Sequence, residues 1–167
     1  FKKRFGTGTQ LGMRFKYTFQ TKPKGIPDAI NVANKFIAKQ PFVLALADNL
    51  FIGESFQKTL RQVQSIKSGA AVLAVKTKYP SKSAVIDLGK KGKIKSIIEK
   101  PKKPKSNLTI PGLYFYDSES KTVVRKLKPS KRGELEIVDV HLDYLEKQQL
   151  KVFSLKKDIK WFDTGDA

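Results

Sequence analysis

Two aspartates in this sequence stand where carboxylates can hold a divalent cation. Asp48 closes the apolar run Phe42–Ala47, and Asp163 follows Trp161-Phe162 and precedes Thr164-Gly165 in a tight turn. In open α/β sheets, ligands gather at the carboxyl ends of strands. Magnesium needs few protein carboxylates, because waters and substrate phosphates complete its octahedron. A second constellation is Glu99-Lys100-Pro101. There a carboxylate can take sugar hydroxyls, while the neighbouring ammonium takes a phosphate as a point charge. A third is Gln20-Thr21-Lys22-Pro23-Lys24-Gly25. A glutamine at a strand end can read a base edge through paired hydrogen bonds, and the glycine lets a ligand approach the backbone. Taken singly, each has a plain reading as a strand-end turn, a helix cap or an exposed ion pair. Gly6-Thr7-Gly8-Thr9-Gln10-Leu11-Gly12 imitates a phosphate-cradling loop. Such a loop follows a buried strand and opens a helix. This one precedes a strand-like stretch, and it reads as a surface loop.

The elements that must position these residues follow from periodicity and punctuation. Arg14–Gln20 alternates apolar and polar residues, which predicts a strand. Pro23 and Gly25 turn the chain. Pro27-Asp28 then opens a helix whose apolar positions Ala29, Ile30, Ala33, Phe36 and Ile37 fall at helical spacing. Phe42–Ala47 predicts a fully buried strand ended by Asp48-Asn49. A helix from about Glu54 presents Phe56, Leu60, Val63 and Ile66 on one face, and Ala70–Val75 predicts another buried strand. From Ala84 the pattern changes. AVIDL, Gly89-Lys90-Lys91-Gly92 and KIKSIIEK predict a β-hairpin with a four-residue turn. Pro101–Asn107 is a Pro/Lys loop and Ile110–Tyr116 a strand. Helices follow near Ser118–Lys126 and Glu134–Gln148, and Val152–Leu155 and Trp161–Phe162 close as short strands. The βαβαβ order followed by antiparallel elements predicts one α/β domain with a Rossmann-like mixed, mostly parallel sheet covered by helices.

Composition narrows the chemistry. The chain has 167 residues, no cysteine and one histidine, His141. Disulfides, thiolate metal sites and cysteine nucleophiles are excluded together, and neither a histidine metal cluster nor a Ser–His pair is expected. No apolar run reaches the roughly 18–20 residues that span a bilayer. The net charge of +19 points on its face to nucleic acid or to phosphate chemistry. The lysines are spread over nearly every loop, however, with only a modest cluster at Lys100, Lys102, Lys103 and Lys105. A nucleic-acid module would focus them on one face.

Five stretches, in order, carry a resemblance: FGTGTQLGMRFKYTFQTKPKGIPDA, LALADNLFIG, IIEKPKKPKSNLTIPGLYFYD, LKPSKRGELEIVDVHLDYLEKQQLKV and WFDTGD. Together they run over essentially the whole chain, which resembles the sugar-1-phosphate nucleotidyltransferases, most closely their glucose-1-phosphate thymidylyltransferase branch. The resemblance implies the nucleotide-diphospho-sugar transferase fold and a Mg²⁺-dependent, cytoplasmic enzyme. It would join dTTP and glucose-1-phosphate into dTDP-glucose and pyrophosphate, without nucleic-acid or membrane partners, as a homo-oligomer that is usually a tetramer. By the same resemblance, Asp48 and Asp163 bind the metal and Gln20 pairs with the base. The backbone around Pro23 and Gly25 completes the base pocket. Glu99 and Lys100 hold the sugar and its phosphate, so that Asp48, Asp163 and Lys100 form the catalytic set. Ile110 and Tyr114 line the sugar pocket, and Arg132, in the Arg-Gly-Glu turn with Glu134, lies near phosphate.

The family begins with a strand and a G-x-G-T-R-[LM]-x-P loop that grips the triphosphate, and nothing here supplies it; Gly6–Leu11 has Gln10 where the Arg should be. Residues 1–167 are therefore expected to form the central part of a single, N-terminally truncated nucleotidyltransferase domain, inactive by itself. Ala47 replaces the family's glycine before Asp48, Ser83-Ala84 replaces its sugar-contacting Tyr-Gly, and Asp166 stands where many members have Thr. A uridylyltransferase or another sugar-1-phosphate nucleotidyltransferase paralogue is the alternative reading. More distant ones are a paralogue that keeps the fold without catalysis, and a basic nucleic-acid-binding module.

Overall fold

The computed structural model describes residues 1–165, so the departure at Asp166 lies outside the described residues. The N-terminal half contains α1 (Lys2–Phe5), a 3-10 turn (Thr9–Leu11), α2 (Ile26–Val32), α3 (Asn34–Ile37), β1 (Phe42–Ala45), β2 (Asn49–Ile52), α4 (Phe56–Gln64) and β3 (Ala70–Lys76). The second half contains β4 (Val85–Leu88), β5 (Ile94–Ile98), β6 (Leu108–Thr109), β7 (Leu113–Tyr116), α5 (Ser120–Lys126), α6 (Ile137–Glu146), β8 (Leu150–Ser154) and β9 (Lys160–Asp163).

β3 is the centre of the main sheet, and its sequence AAVLAVK shows why. Both of its faces are apolar, and Ala70 to Ala74 are all buried. Side chains alternate across a strand. Ala70, Val72 and Ala74 therefore pack with Ile30 of α2, Val123 and Val124 of α5, and Val140 and Tyr144 of α6. Ala71 and Leu73 face the other way, onto Val63, Leu60 and Phe56 of α4. The result is three layers, with the sheet between α4 and the α2–α5–α6 group.

The expectation of a mostly parallel sheet is corrected. β3 pairs in parallel with β8, whereas β1–β7, β3–β7, β3–β6, β4–β5 and β4–β6 are antiparallel. β7 lies between β1 and β3 and runs against both. The β1–α4–β3 crossover does join strands of one direction, as βαβ order requires, but a later strand is inserted between them.

Other elements depart for local reasons. Arg14–Gln20 alternates like a strand yet is irregular, because its backbone finds no ladder partner among the described residues. The single helix expected after Pro27 is broken at Ala33 and ends at Ala38, whose φ is +51°. β1 alternates half-buried and exposed residues, with Val43 46% exposed, because it lies at the edge of the sheet. The strand expected over Ile110–Tyr116 is shortened to β7, because Ile110-Pro111-Gly112 interrupts the ladder and separates it from the two-residue β6 that precedes it. β2 was not expected at all; it pairs antiparallel with β9 in a separate two-stranded ribbon.

Candidate functional site

That ribbon positions the two aspartates. Its register sets Asn49 opposite Asp163, which brings Asp48 beside the Asp163 turn. Thr164 donates both its backbone N–H and its hydroxyl to the Asp48 carbonyl, at 2.8 and 3.0 Å. The Gly165 N–H donates to Asp163 Oδ1 at 3.1 Å. A Cβ added to Gly165 would lie 2.8 Å from Asp48 Oδ2 and 3.4 Å from Asp163 Oδ1, so one carboxylate oxygen of each residue faces the same spot. Both aspartates are exposed. Two converging, exposed carboxylates are a donor set that suits Mg²⁺, which keeps several waters and takes its remaining oxygens from phosphates.

Beside the pair lies a cleft of about 160 Å³. Of the expected site residues, Glu99, Lys100, Ile110, Tyr114 and Asp163 line it together. Its floor comes from the buried sheet, since Ile110 and Tyr114 are 3% and 4% exposed. Ser83 and Ala84 also line it, at the positions of the family's Tyr-Gly. The Ala84 carbonyl accepts the Ile110 N–H at 2.9 Å and the Thr109 hydroxyl at 2.8 Å, which fixes that wall. At the mouth, Lys100 has φ +40° although it is neither glycine nor free of a following proline. A left-handed residue in that setting is strained by about 1–3 kcal/mol, a feature concentrated at ligand sites.

Charges converge on the cleft. Burial, followed by the negative charge of Glu136, pushes the Glu99 carboxyl up, against the opposing pull of Lys100 and Arg132. Burial also raises the Tyr114 hydroxyl, and the charges of Glu99, Asp48 and Asp163 raise it further. The Tyr114 hydroxyl thus stays neutral, in the negative field of Glu99, Asp48 and Asp163. Arg132 does not line the cleft. It is held by a bidentate pair with Glu136, at 2.7 and 3.2 Å, and Ser130 donates to the same carboxylate at 2.7 Å. The Glu136 hydrogen bond and charge raise the Arg132 guanidinium. Burial works to raise the Glu136 carboxyl, but its bonds from Arg132 and Ser130, with the charges of Arg132 and Lys100, lower it on balance.

Gln20, Pro23 and Gly25 form their own group outside the cleft wall. The Gln20 amide donates to the Gly25 carbonyl at 3.2 Å and to Asp28 Oδ2 at 2.9 Å. Gly25 is required here by Leu135, whose carbonyl oxygen would lie 2.1 Å from a Cβ at position 25. The Leu135 N–H donates to the Lys24 carbonyl at 2.9 Å, so this group is joined to the Arg132 loop, and the adjoining Ile26 does line the cleft.

Asn49 is the structural residue that sequence reasoning missed. Its amide donates to Asp48 Oδ1 at 2.8 Å, and its Oδ1 accepts the Gly112 N–H at 2.8 Å and the Trp161 indole N–H at 2.6 Å. It thereby joins the ribbon, the Asp48 carboxylate and the β6–β7 break. The signal was present: an indole donates only, and a half-buried one needs an acceptor. His141 belongs to the core. It is fully buried, bonded to the Tyr116 hydroxyl at 2.8 Å, and pushed by burial down to about 3.

With this geometry in view, the family model described as "Nucleotidyl transferase" matches residues 1–167. The chain belongs to the nucleotidyl transferase family. Among curated members it is 39% identical over 165 residues to the glucose-1-phosphate thymidylyltransferase of Neisseria meningitidis, and 39% identical to that of Mycobacterium tuberculosis. Each match covers 99% of this chain and 57% of the relative, so the chain spans a little over half the length of these nucleotidyl transferases. Among solved structures, a Bacillus anthracis protein described as a glucose-1-phosphate thymidylyltransferase, in complex with sucrose, superposes with a TM-score of 0.88 at 34% identity. That match covers 98% of this chain and 65% of the other. A UDP-glucose pyrophosphorylase complexed with UDP-glucose superposes at 0.79 with 25% identity, covering 91% of this chain and 61% of the other. The nucleotide-diphospho-sugar transferase fold expected from the sequence is therefore the fold of this chain. No helix among the described residues is long and apolar enough to cross a membrane.

Proposed function

We propose that this chain forms the central part of a nucleotidyltransferase domain that joins dTTP and glucose-1-phosphate into dTDP-glucose and pyrophosphate. The observation that carries the reading is the convergence of Asp48 and Asp163 beside a cleft lined by Glu99, Lys100 and Tyr114. The 39% identity to glucose-1-phosphate thymidylyltransferases supports dTTP and glucose-1-phosphate as its substrates. In the reaction, an oxygen of the sugar phosphate attacks the α-phosphorus of dTTP, and the α–β phosphoanhydride bond breaks to release pyrophosphate.

Such a transfer needs positioning and charge neutralisation more than covalent help. Glu99 accepts sugar hydroxyls, and Tyr114 donates from the floor. Lys100 meets the sugar phosphate at the mouth, and Arg132, released from Glu136, supplies a second cation. Gln20, with the backbone at Pro23 and Gly25, holds the base. Asp48 and Asp163 would hold Mg²⁺, which supplies neutralisation of developing phosphate charge.

The test is a coupled pyrophosphate assay on the protein that carries this chain, with glucose-1-phosphate, Mg²⁺ and either dTTP or UTP. Release with dTTP exceeding that with UTP is the expected result. Release with UTP alone would transfer the assignment to the uridylyltransferase reading, which the likeness to a UDP-glucose pyrophosphorylase supports. No release with either would overturn both.

A further inference from the structure

The cleft does not end at Ser83. Lys82, Ser83, Trp161 and Asp163 line it and also line a second, wider groove of about 770 Å³. The groove shares none of the residues at the Ile26 and Ile137 end, so it opens from the end remote from Gln20 and Gly25. Its walls are cationic. Among the described residues Lys76, Lys78 and Lys160 line it, are exposed and make no ion pair, and Asp163 is the one acidic residue that lines it. Tyr79 and Phe162, 68% and 46% exposed, supply flat apolar surface between the lysines.

We infer that this groove extends the sugar site and admits a hexose-1-phosphate bearing a second anionic group remote from C1, of which a hexuronic acid 1-phosphate is the simplest. The inference rests on the proposed function, because that reading puts the base at the Gln20 end and the sugar against Glu99 and Tyr114. Whatever projects from the sugar past Ser83 then enters the groove. The small side chain of Ser83, which lines both cleft and groove, keeps the passage low on one side. The lysines favour an anion there, and a carboxylate on a pyranose is rigid enough to reach them without ordering a long tail. Aromatic faces beside the lysines suit the apolar face of a sugar ring, which a free inorganic anion lacks.

Trp161 is the single tryptophan of the chain and lies at the junction of cleft and groove, so its fluorescence reports occupancy directly. The experiment titrates the protein with glucose-1-phosphate, glucuronic acid 1-phosphate and glucose 1,6-bisphosphate at low and high salt. The uronate is expected to bind about tenfold tighter than glucose-1-phosphate, since several exposed charge contacts each add a few-fold. That margin should shrink as salt screens it. K78A combined with K160A should remove the margin and leave glucose-1-phosphate affinity unchanged. A preference for the bisphosphate over the uronate would assign the groove to phosphate and overturn the uronate. Equal or weaker binding of both anionic sugars would overturn the inference while leaving the proposed function standing. Failure to bind any of the three would strike the proposed function itself. The comparison of the three ligands on the unaltered protein stands even if the double variant misfolds.

Discussion

The cleft floor and the aspartate ribbon meet at one cleft and are built in opposite ways. Ile110 and Tyr114 stand on a sheet whose central strand is buried on both faces. Asp48 and Asp163 sit at the end of a two-stranded ribbon whose Leu50, Ile52 and Phe162 are about half exposed. An isolated pair of strands is marginal in water. This one is tied down by the stacked pair Phe51–Phe56, with ring centroids 4.8 Å apart, and by Asn49. Shape is therefore kept by packing and charge by a few hydrogen bonds. The two should fail in different assays.

The largest effect should come from the ribbon. Asp163→Asn keeps the size of the side chain and removes its charge, and should lower the rate of pyrophosphate release by about 10³-fold. Because Asp163 is exposed, its unfolding free energy should move by no more than about 0.5 kcal/mol. A rate within tenfold of the parent would break the assignment of roles. Leu73→Ala is the converse. It empties a fully buried position between β3 and α4, and should cost about 2–5 kcal/mol in urea unfolding while ligand affinity per folded molecule is unchanged.

Asn49→Leu tests the junction between the regions. It strands the Gly112 and Trp161 donors and should cost about 1–3 kcal/mol in a thermal melt. It should also weaken Mg²⁺ binding, measured by calorimetry, because Asp48 loses its amide partner. The smallest effect is pH-dependent. Burial and then Glu136 raise the Glu99 carboxyl, so the folded state binds its proton more tightly than the unfolded chain does. Stability contributed by that proton is lost as pH rises from 4.5 through the raised value. Glu99→Gln should therefore melt higher than the parent at neutral pH, and the two curves should meet below pH 4.5. Coincident curves at every pH would show that Glu99 is not desolvated.

What could be read in advance divides along the same line. β3 and the β4–β5 hairpin were legible because their patterns are local: a run apolar on both faces, and two alternating runs around Gly89–Gly92. The five motif stretches also marked the family, and Glu99, Lys100, Ile110, Tyr114 and Asp163 from them line one cleft. β2 was illegible because Leu50-Phe51-Ile52 is a strand only through partners more than a hundred residues away in β9. Arg14–Gln20 failed in the opposite sense, with the right alternation and no ladder. Asn49 was passed over as punctuation after Asp48, although its three hydrogen bonds reach Asp48, Gly112 and Trp161. The Arg132–Glu136 pair has helical spacing but precedes α6, so its purpose is to hold a loop and not to staple a helix.

The edge position of β1 also governs how the chain behaves in a tube. Among the described residues β1 is paired on one side, by β7, and Val43 stands exposed on it. Such an edge is a template for pairing with another molecule. A net charge of +19 keeps copies apart over a Debye length of about 10 Å at 0.1 M salt and about 3 Å at 1 M. Colloidal stability should therefore run against custom, with dilute buffer preserving single molecules and concentrated salt inviting strand-to-strand association.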